Sequence, residues 1–294
     1  MLPNPIFTLF GNGVYMYGIC IAVGLISCIS VFYLYTTKAK VPTKIQDFVF
    51  FVAIAAIAIG FLAAKLFQAF YDYIETGVFN FYNAGMTVMG GLVGGVIAFL
   101  AVYFGVGHFY FKGKDQGLHV KNFIEILRVA PMCILIAHGF GRIGCLMSGC
   151  CHGAYLGNEY VFGGIYMHTP DDGAGYFVPT QLYEALFLFA LFAVLSIVYF
   201  KGCNITMPLY LAGYGVWRFI IEFFRTDERG AFTLGLSPSQ WQSFLFLLAG
   251  GAIILFFVLR KIPLFEKRQI ETVKESGNQP AEQTKDDTSN NDDI

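Results

Sequence analysis

Residues 138–153 read HGFGRIGCLMSGCCHG and put two histidines, three cysteines and a lone arginine into sixteen positions. Two chemistries compete for such a segment. Thiols and imidazoles at this density suggest a metal, whereas Arg142 between Gly141 and Gly144 suggests a phosphate. A guanidinium meets phosphate through two parallel N–H donors, and flanking glycines let a ligand approach the backbone closely. A second candidate group lies in YGVWRFIIEFFR, where Tyr214, Arg218, Glu222 and Arg225 follow at i, i+4, i+8 and i+11 and so share one helical face. The simpler account of that face is a structural salt bridge, with Arg218 or Arg225 answering Glu222.

The cysteine spacing argues against a metal. Structural zinc sites favour paired cysteines about two to four residues apart with a second pair farther on. Here four residues separate Cys145 from Cys150, which then adjoins Cys151, and neighbouring cysteines ligate one ion poorly. No metal and no cofactor are expected. A disulfide from Cys145 to Cys150 or Cys151 is the alternative in an oxidising compartment. Cys20, Cys28, Cys133 and Cys203 read as small apolar residues in or near helices.

The elements that must carry these groups are membrane helices. The 294-residue chain is 56% hydrophobic and 13% charged, with a mean hydropathy of +0.60. An ordinary soluble domain is excluded. A bilayer core about 30 Å thick needs roughly 20 apolar helical residues per crossing. About seven stretches qualify: 14–35, 47–70, 87–109, 122–143, 180–200, 206–224 and 241–261. The expected fold is therefore an all-α polytopic membrane protein, one transmembrane domain over 1–268. Lysines follow the first stretch and no Lys or Arg precedes it, the reverse of a cleaved leader, so it is expected to remain. Residues 269–294 are polar and charged without apolar periodicity and read as a disordered cytoplasmic tail.

Positive charge sets the orientation, because short loops rich in Lys and Arg stay in the cytoplasm. Lys38, Lys40 and Lys44 follow the first stretch, Lys112, Lys114 and Lys121 the third, Lys201 the fifth, and Arg260, Lys261, Lys267 and Arg268 the seventh. Residues 71–86 and 146–179 hold no Lys or Arg; only the loop after the sixth stretch, with Arg225 and Arg229, breaks the alternation. The N-terminus is expected outside and the C-terminus inside. On that topology the unusual polar residues within or bordering the membrane all fall in the outer half: Tyr17, Lys65, His138, Arg142, Gln181, Glu184, Tyr214, Arg218, Glu222 and Arg225. Charge in a membrane helix costs a few kcal/mol and faces a partner or a polar cavity. Cations exceed acids there, which points to one anion-binding site open to the outer leaflet. Gly90 with Gly94 and Gly91 with Gly95 carry the spacing of small-residue helix packing, and Gly90 and Gly91, at the outer end, are the pair placed to meet a ligand.

In this order, MTVMGGLVGG, HGFGRIGCLMSGCCHG, VPTQLYEALF and YGVWRFIIEFFRTDERG make the chain resemble the bacterial prolipoprotein diacylglyceryl transferase family over nearly its whole length short of the tail. The resemblance implies an inner-membrane enzyme that moves a diacylglyceryl group from phosphatidylglycerol to the lipobox cysteine thiol of a preprolipoprotein, releasing glycerol phosphate, at the outer side of the membrane. Its implied partners are that lipid, the lipobox signal peptide and the surrounding membrane lipids; no nucleic acid is implied. By the same resemblance Arg142 holds the headgroup and Arg218 stabilises the leaving phosphate, while Tyr17, Tyr214, Glu222 and Gly153 match positions tied to activity or site geometry. The chemistry is consistent, since sulfur displacing a phosphate ester needs a thiolate and charge stabilisation on the departing oxygens.

The chain departs from the family pattern at four places. Met89 replaces a histidine before GGL, Cys145 an asparagine after GRIG, and Ser148 and Cys150 stand where an asparagine and a glutamate usually follow, which resembles a Cys-rich GRIGC…GCC variant. With that histidine gone, His138, one turn before Arg142, is the candidate to accept the thiol proton. Two other classes remain: a lipid-binding or transporter-like homologue without turnover, and a metal or redox protein built on Cys145, Cys150, Cys151 and His152.

Overall fold

A computed structural model describes residues 5–9, 12–169, 173–225 and 237–265. Among these residues seven α-helices dominate: α1 Met16–Lys38, α2 Thr43–Thr76, α3 Val88–Tyr110, α4 Leu118–Ser148, α5 Thr180–Phe200, α6 Thr206–Ile221 and α7 Pro238–Leu259. All but α6 are long and apolar enough to cross a membrane. The sixth stretch is divided, since its α-helix stops at Ile221 and tightens into a 3-10 turn over Glu222–Phe224.

Several helices run past their apolar stretches. The 34 residues of α2 span roughly 51 Å at a rise of about 1.5 Å per residue, so this helix tilts or projects beyond the hydrocarbon. At α7 the start is set by a capping box, in which the Ser237 side chain accepts from the Gln240 backbone N–H and the Gln240 side chain returns the contact.

Small strands accompany the helices. A hairpin pairs β1 Phe7–Leu9 with β2 Asn12–Val14. Between α4 and α5, β3 Tyr155–Gly157, β4 Ile165–Thr169 and β5 Gly173–Phe177 form an antiparallel sheet ordered β3-β5-β4.

Packing follows the small residues. On α3, a Cβ on Gly90 would meet Phe67 and Ala63, and one on Gly94 would meet Ala63, so α3 lies closely along α2. Gly24 of α1 faces Ala137 and Phe140 of α4, and Gly139 of α4 faces the Phe189 ring of α5. One buried cluster joins Tyr35, Met132, Leu135, Leu188, Tyr199, Tyr214 and Phe246, and another joins Ile45, Val52, Tyr103 and Ile126. Large apolar side chains such as Phe51, Phe61, Phe67 and Leu248 stay exposed on the helices, the surface a lipid-facing bundle presents.

The lysine-rich connections share one end, where Lys44 Nζ meets Asp115 Oδ2 at 2.8 Å across the α1–α2 and α3–α4 links. At the opposite end lie the start of α1, the end of α4, the start of α5, the end of α6 and the start of α7, shown by Gly144 against Tyr17, Arg142 against Glu184 and Arg218 against Ser239. Not every polar group within the helices gathers there. Arg128 Nη1 pairs with Glu125 Oε2 at 2.8 Å, the Tyr199 hydroxyl donates to Glu125 Oε1 at 2.6 Å, and Thr206 donates to the Arg128 carbonyl. This corrects the expectation that all such groups occupy one half: Glu125 and Arg128 sit in the first half of α4, away from the end that carries Arg142, paired and partly buried.

Candidate active site

The site is built where α4 ends beside the start of α5. His138, Arg142 and Cys145 follow at helical spacing on α4, so they face one side over two turns. Opposite them Glu184 enters on the second turn of α5, wholly buried. Its two oxygens organise the group. Oε2 lies 3.0 Å from Arg142 Nε, Oε1 accepts from the Tyr214 hydroxyl at 3.0 Å, and His138 Nε2 stands 3.8 Å from Oε1. The His138 ring meets Tyr214 edge-on, with centroids 5.3 Å apart. A buried carboxylate survives in such a place only by being paired, and two other helices, α4 and α6, supply its partners. Sequence reasoning placed Glu184 only among the polar residues of the outer half and missed it as the centre; the signal was a lone acid in the apolar run of α5.

Arg218 completes the arrangement from α6. It is 4% exposed, donates through Nη2 to Ser239 Oγ at 2.6 Å and pairs with Glu222 Oε2 at 3.0 Å. The structural salt bridge read from YGVWRFIIEFFR is thus present, yet it does not use up the guanidinium. Arg218 Nη1 is buried without an acceptor among the described residues, and Arg142 Nε faces Glu184 without hydrogen-bond alignment. Arg142 pairs with Glu184 directly, and Arg218 follows one turn after the Tyr214 that bonds Glu184, so its charge reaches the same region. Buried donors left unmade carry a desolvation penalty of about 1–3 kcal/mol each, more when charged, which an anion's oxygens relieve.

The other expected residues have mixed placements. Tyr17, in the first turn of α1, is 44% exposed and lies over Gly144, where an added Cβ would sit 3.0 Å from the Tyr17 ring. Gly144 therefore serves α1–α4 contact. Gly153 donates its N–H to the Val178 carbonyl at 2.8 Å, and a Cβ there would strike the Phe224 carbonyl oxygen, so it locks the loop after α4 against α5 and α6. Gln181, fully buried, donates to the Cys150 carbonyl at 2.9 Å and positions that loop. Gly90 and Gly91 face α2, and the structure does not bring them to Glu184. Lys65 lies over the Phe81 ring at 5.2 Å, and Arg229 falls outside the described residues.

Arg225, directly after the 3-10 turn, acts on Cys151. The Cys145, Cys150 and Cys151 sulfurs lie within 4.8 Å of one another, and all seven cysteines are free thiols. The Cys150 thiol donates to the Cys145 carbonyl at 3.7 Å, and the two neighbouring thiols with the Arg225 charge hold the Cys151 thiol below its ordinary value.

Known proteins resemble this chain over most of its length. A family model described as prolipoprotein diacylglyceryl transferase matches residues 5–256. The chain is 30% identical over 264 residues to phosphatidylglycerol–prolipoprotein diacylglyceryl transferase 2 of Clostridium perfringens, covering 86% of this chain and 94% of the relative. It is 30% identical over 253 residues to the corresponding transferase of Clostridium tetani, covering 83% and 94%. A Dehalococcoides mccartyi transferase is 31% identical over 256 residues, covering 83% and 89%. A match of this extent, taking in every helix that brings a charged group to Glu184, leaves one assignment: the chain belongs to the prolipoprotein diacylglyceryl transferase family.

Proposed function

We propose that this protein transfers the diacylglyceryl group of phosphatidylglycerol to the lipobox cysteine of a preprolipoprotein, with Arg142 and Arg218 holding the phosphate at the outer face of a bacterial inner membrane. The family assignment and the relatives' names support the reaction. The observation that carries the site is the convergence of two buried arginines on Glu184, with the Arg218 Nη1 donor unfilled among the described residues. An anionic headgroup supplies the acceptors that these donors lack. The lysine-bearing links at the opposite end favour an N-terminus outside and a site facing the outer leaflet.

The chemistry follows from the placement of charge. The substrate thiol loses its proton and its sulfur bonds to the terminal glyceryl carbon. The carbon–oxygen bond to phosphate breaks, and the electron pair leaves with glycerol phosphate. Donors aimed at the departing oxygens stabilise the charge that develops there; Arg218 is the residue for that task, and Arg142 binds the headgroup beforehand. Glu184, itself held by Tyr214, orients Arg142. His138, next to this group, is the base for the thiol proton. Tyr17, Glu222, Arg225 and Gln181 shape the surroundings, and Gly144 and Gly153 hold the helices and loop together.

Met89, where the family has a histidine, favours a second reading in which lipid is bound without turnover. Reconstituted protein given labelled phosphatidylglycerol and a lipobox peptide separates the two. Thiol-linked label is expected, and it should fall at least about 100-fold in Arg218→Ala. Tight lipid binding with no transfer by the unaltered protein overturns the transferase reading.

A further inference from the structure

The cysteine cluster lies beside the arginine site and has no part in the chemistry above. Cys145 is in the last turn of α4, and Cys150 and Cys151 lie in the turn that follows. Adjacency argued against a shared ion, because neighbouring side chains on extended backbone point to opposite sides. The backbone removes that objection. Gly149 ends α4 at φ +71°, and Cys151, a non-glycine residue, holds φ +62°, which turns consecutive side chains toward one another. The Cys150 N–H returns to the Cys145 carbonyl at 3.2 Å, closing the loop on its own helix.

The turn is also fastened from outside. Gln181 Nε2 donates to the Cys150 carbonyl and Thr180 Oγ1 to the Cys151 carbonyl, each at 2.9 Å. Both anchors sit in the first turn of α5, the helix that carries Glu184. Ligands at about 2.3 Å from one ion stand about 3.8 Å apart, and the three sulfurs lie within 4.8 Å of one another, so small side-chain movements suffice to bind.

We propose that Cys145, Cys150 and Cys151 form a three-thiolate site for a borderline-soft ion of the Zn(II) class, whose remaining position takes the thiol of the protein substrate. No further Cys, His, Asp or Glu joins the group among the described residues. Three protein ligands with a vacant fourth position is the pattern of catalytic rather than structural zinc. Its location fits, because Arg142 acts on Cys145 and Cys151 and Tyr17 on all three cysteines. Three thiolates and a divalent ion carry a net negative charge, which the Arg142 and Arg225 guanidiniums offset.

The inference rests on the transferase reading and adds a means of activating its nucleophile. A thiol that coordinates the ion gives up its proton, with His138 as the acceptor. The sulfur then bonds to the glyceryl carbon as the carbon–oxygen bond breaks toward phosphate; the ion does not change oxidation state. Metal coordination does here what the missing histidine at position 89 would otherwise share.

Metal analysis of the full-length protein, purified reduced in detergent and equilibrated with Zn(II), tests the site. One ion per chain is expected, with Cd(II) giving a thiolate charge-transfer band. Cys145→Ser, Cys150→Ser and Cys151→Ser should each weaken binding at least 10-fold, while Cys203→Ser leaves it unchanged; melting curves for all four variants separate ligand loss from misfolding. No retained zinc, or a disulfide within the cluster in protein purified without reductant, overturns the site. Chelation should cut thiol lipidation at least 10-fold, with recovery on adding Zn(II). Full activity in metal-free protein overturns the activation step and leaves the transferase reading standing, whereas stoichiometric zinc in a protein inactive under every condition supports the site and counts against that reading.

Discussion

Arg142 Nε of α4 and Glu184 Oε2 of α5 stand 3.0 Å apart in the interior of the bundle, where Glu184 is shielded from solvent. The pair joins two helices and holds a cation in place for an anionic ligand. It also means that neither partner tolerates loss of the other.

Glu184→Ala should therefore destabilise the protein, since breaking a buried pair costs about 3–5 kcal/mol by leaving an uncompensated charge. Phosphatidylglycerol added to this variant should recover part of the loss, because the lipid phosphate replaces the carboxylate beside Arg142. Thermal unfolding in detergent with and without the lipid measures both effects. An equal response to a neutral diacylglycerol would show that charge replacement is not the cause.

Arg218→Lys keeps the positive charge but not the fork. A lysine ammonium lacks the planar fork by which Nη2 meets Ser239 and Glu222 while Nη1, among the described residues, stays free for a phosphate oxygen. Turnover should drop about 100-fold with a smaller change in lipid affinity. Single-turnover transfer beside equilibrium lipid binding separates the two, and a loss confined to binding would move Arg218 from the leaving group to the headgroup.

His138 stands 3.8 Å from Glu184 and edge-on to Tyr214. As a base it acts only when unprotonated, so kcat/KM of the unaltered enzyme should rise with pH through the histidine's titration and then level off. His138→Gln should lower turnover by about 100-fold or more and abolish that rise. Full lipidation by His138→Gln would remove the residue from the mechanism.

Gly90 meets Phe67 and Ala63 of α2 rather than the arginine group. Gly90→Val should force α2 and α3 apart and cost about 1–3 kcal/mol of stability, with KM for phosphatidylglycerol preserved in the molecules that remain folded. A raised KM at unchanged melting temperature would restore the ligand-contact role expected from its sequence position.

Composition, helix-length apolar stretches and the alternation of lysine-rich links determined the membrane class and the helices, because the bilayer imposes the same length and polarity on every crossing. The spacing of Tyr214, Arg218 and Glu222 likewise sufficed to place them on one face, since helical geometry is local. What lay between helices was decided only by packing. Glu184 reaches Arg142 and Tyr214 because α5 docks antiparallel to α4, and Gly90 turns to α2 because helix rotation is set by the neighbour it packs against. The Glu125–Arg128 pair escaped notice because charge in a membrane helix signals a partner without saying where the pair lies. The three thiols converge through the left-handed turn at Gly149 and Cys151, a backbone choice stabilised by contacts from Thr180 and Gln181 that are distant in sequence.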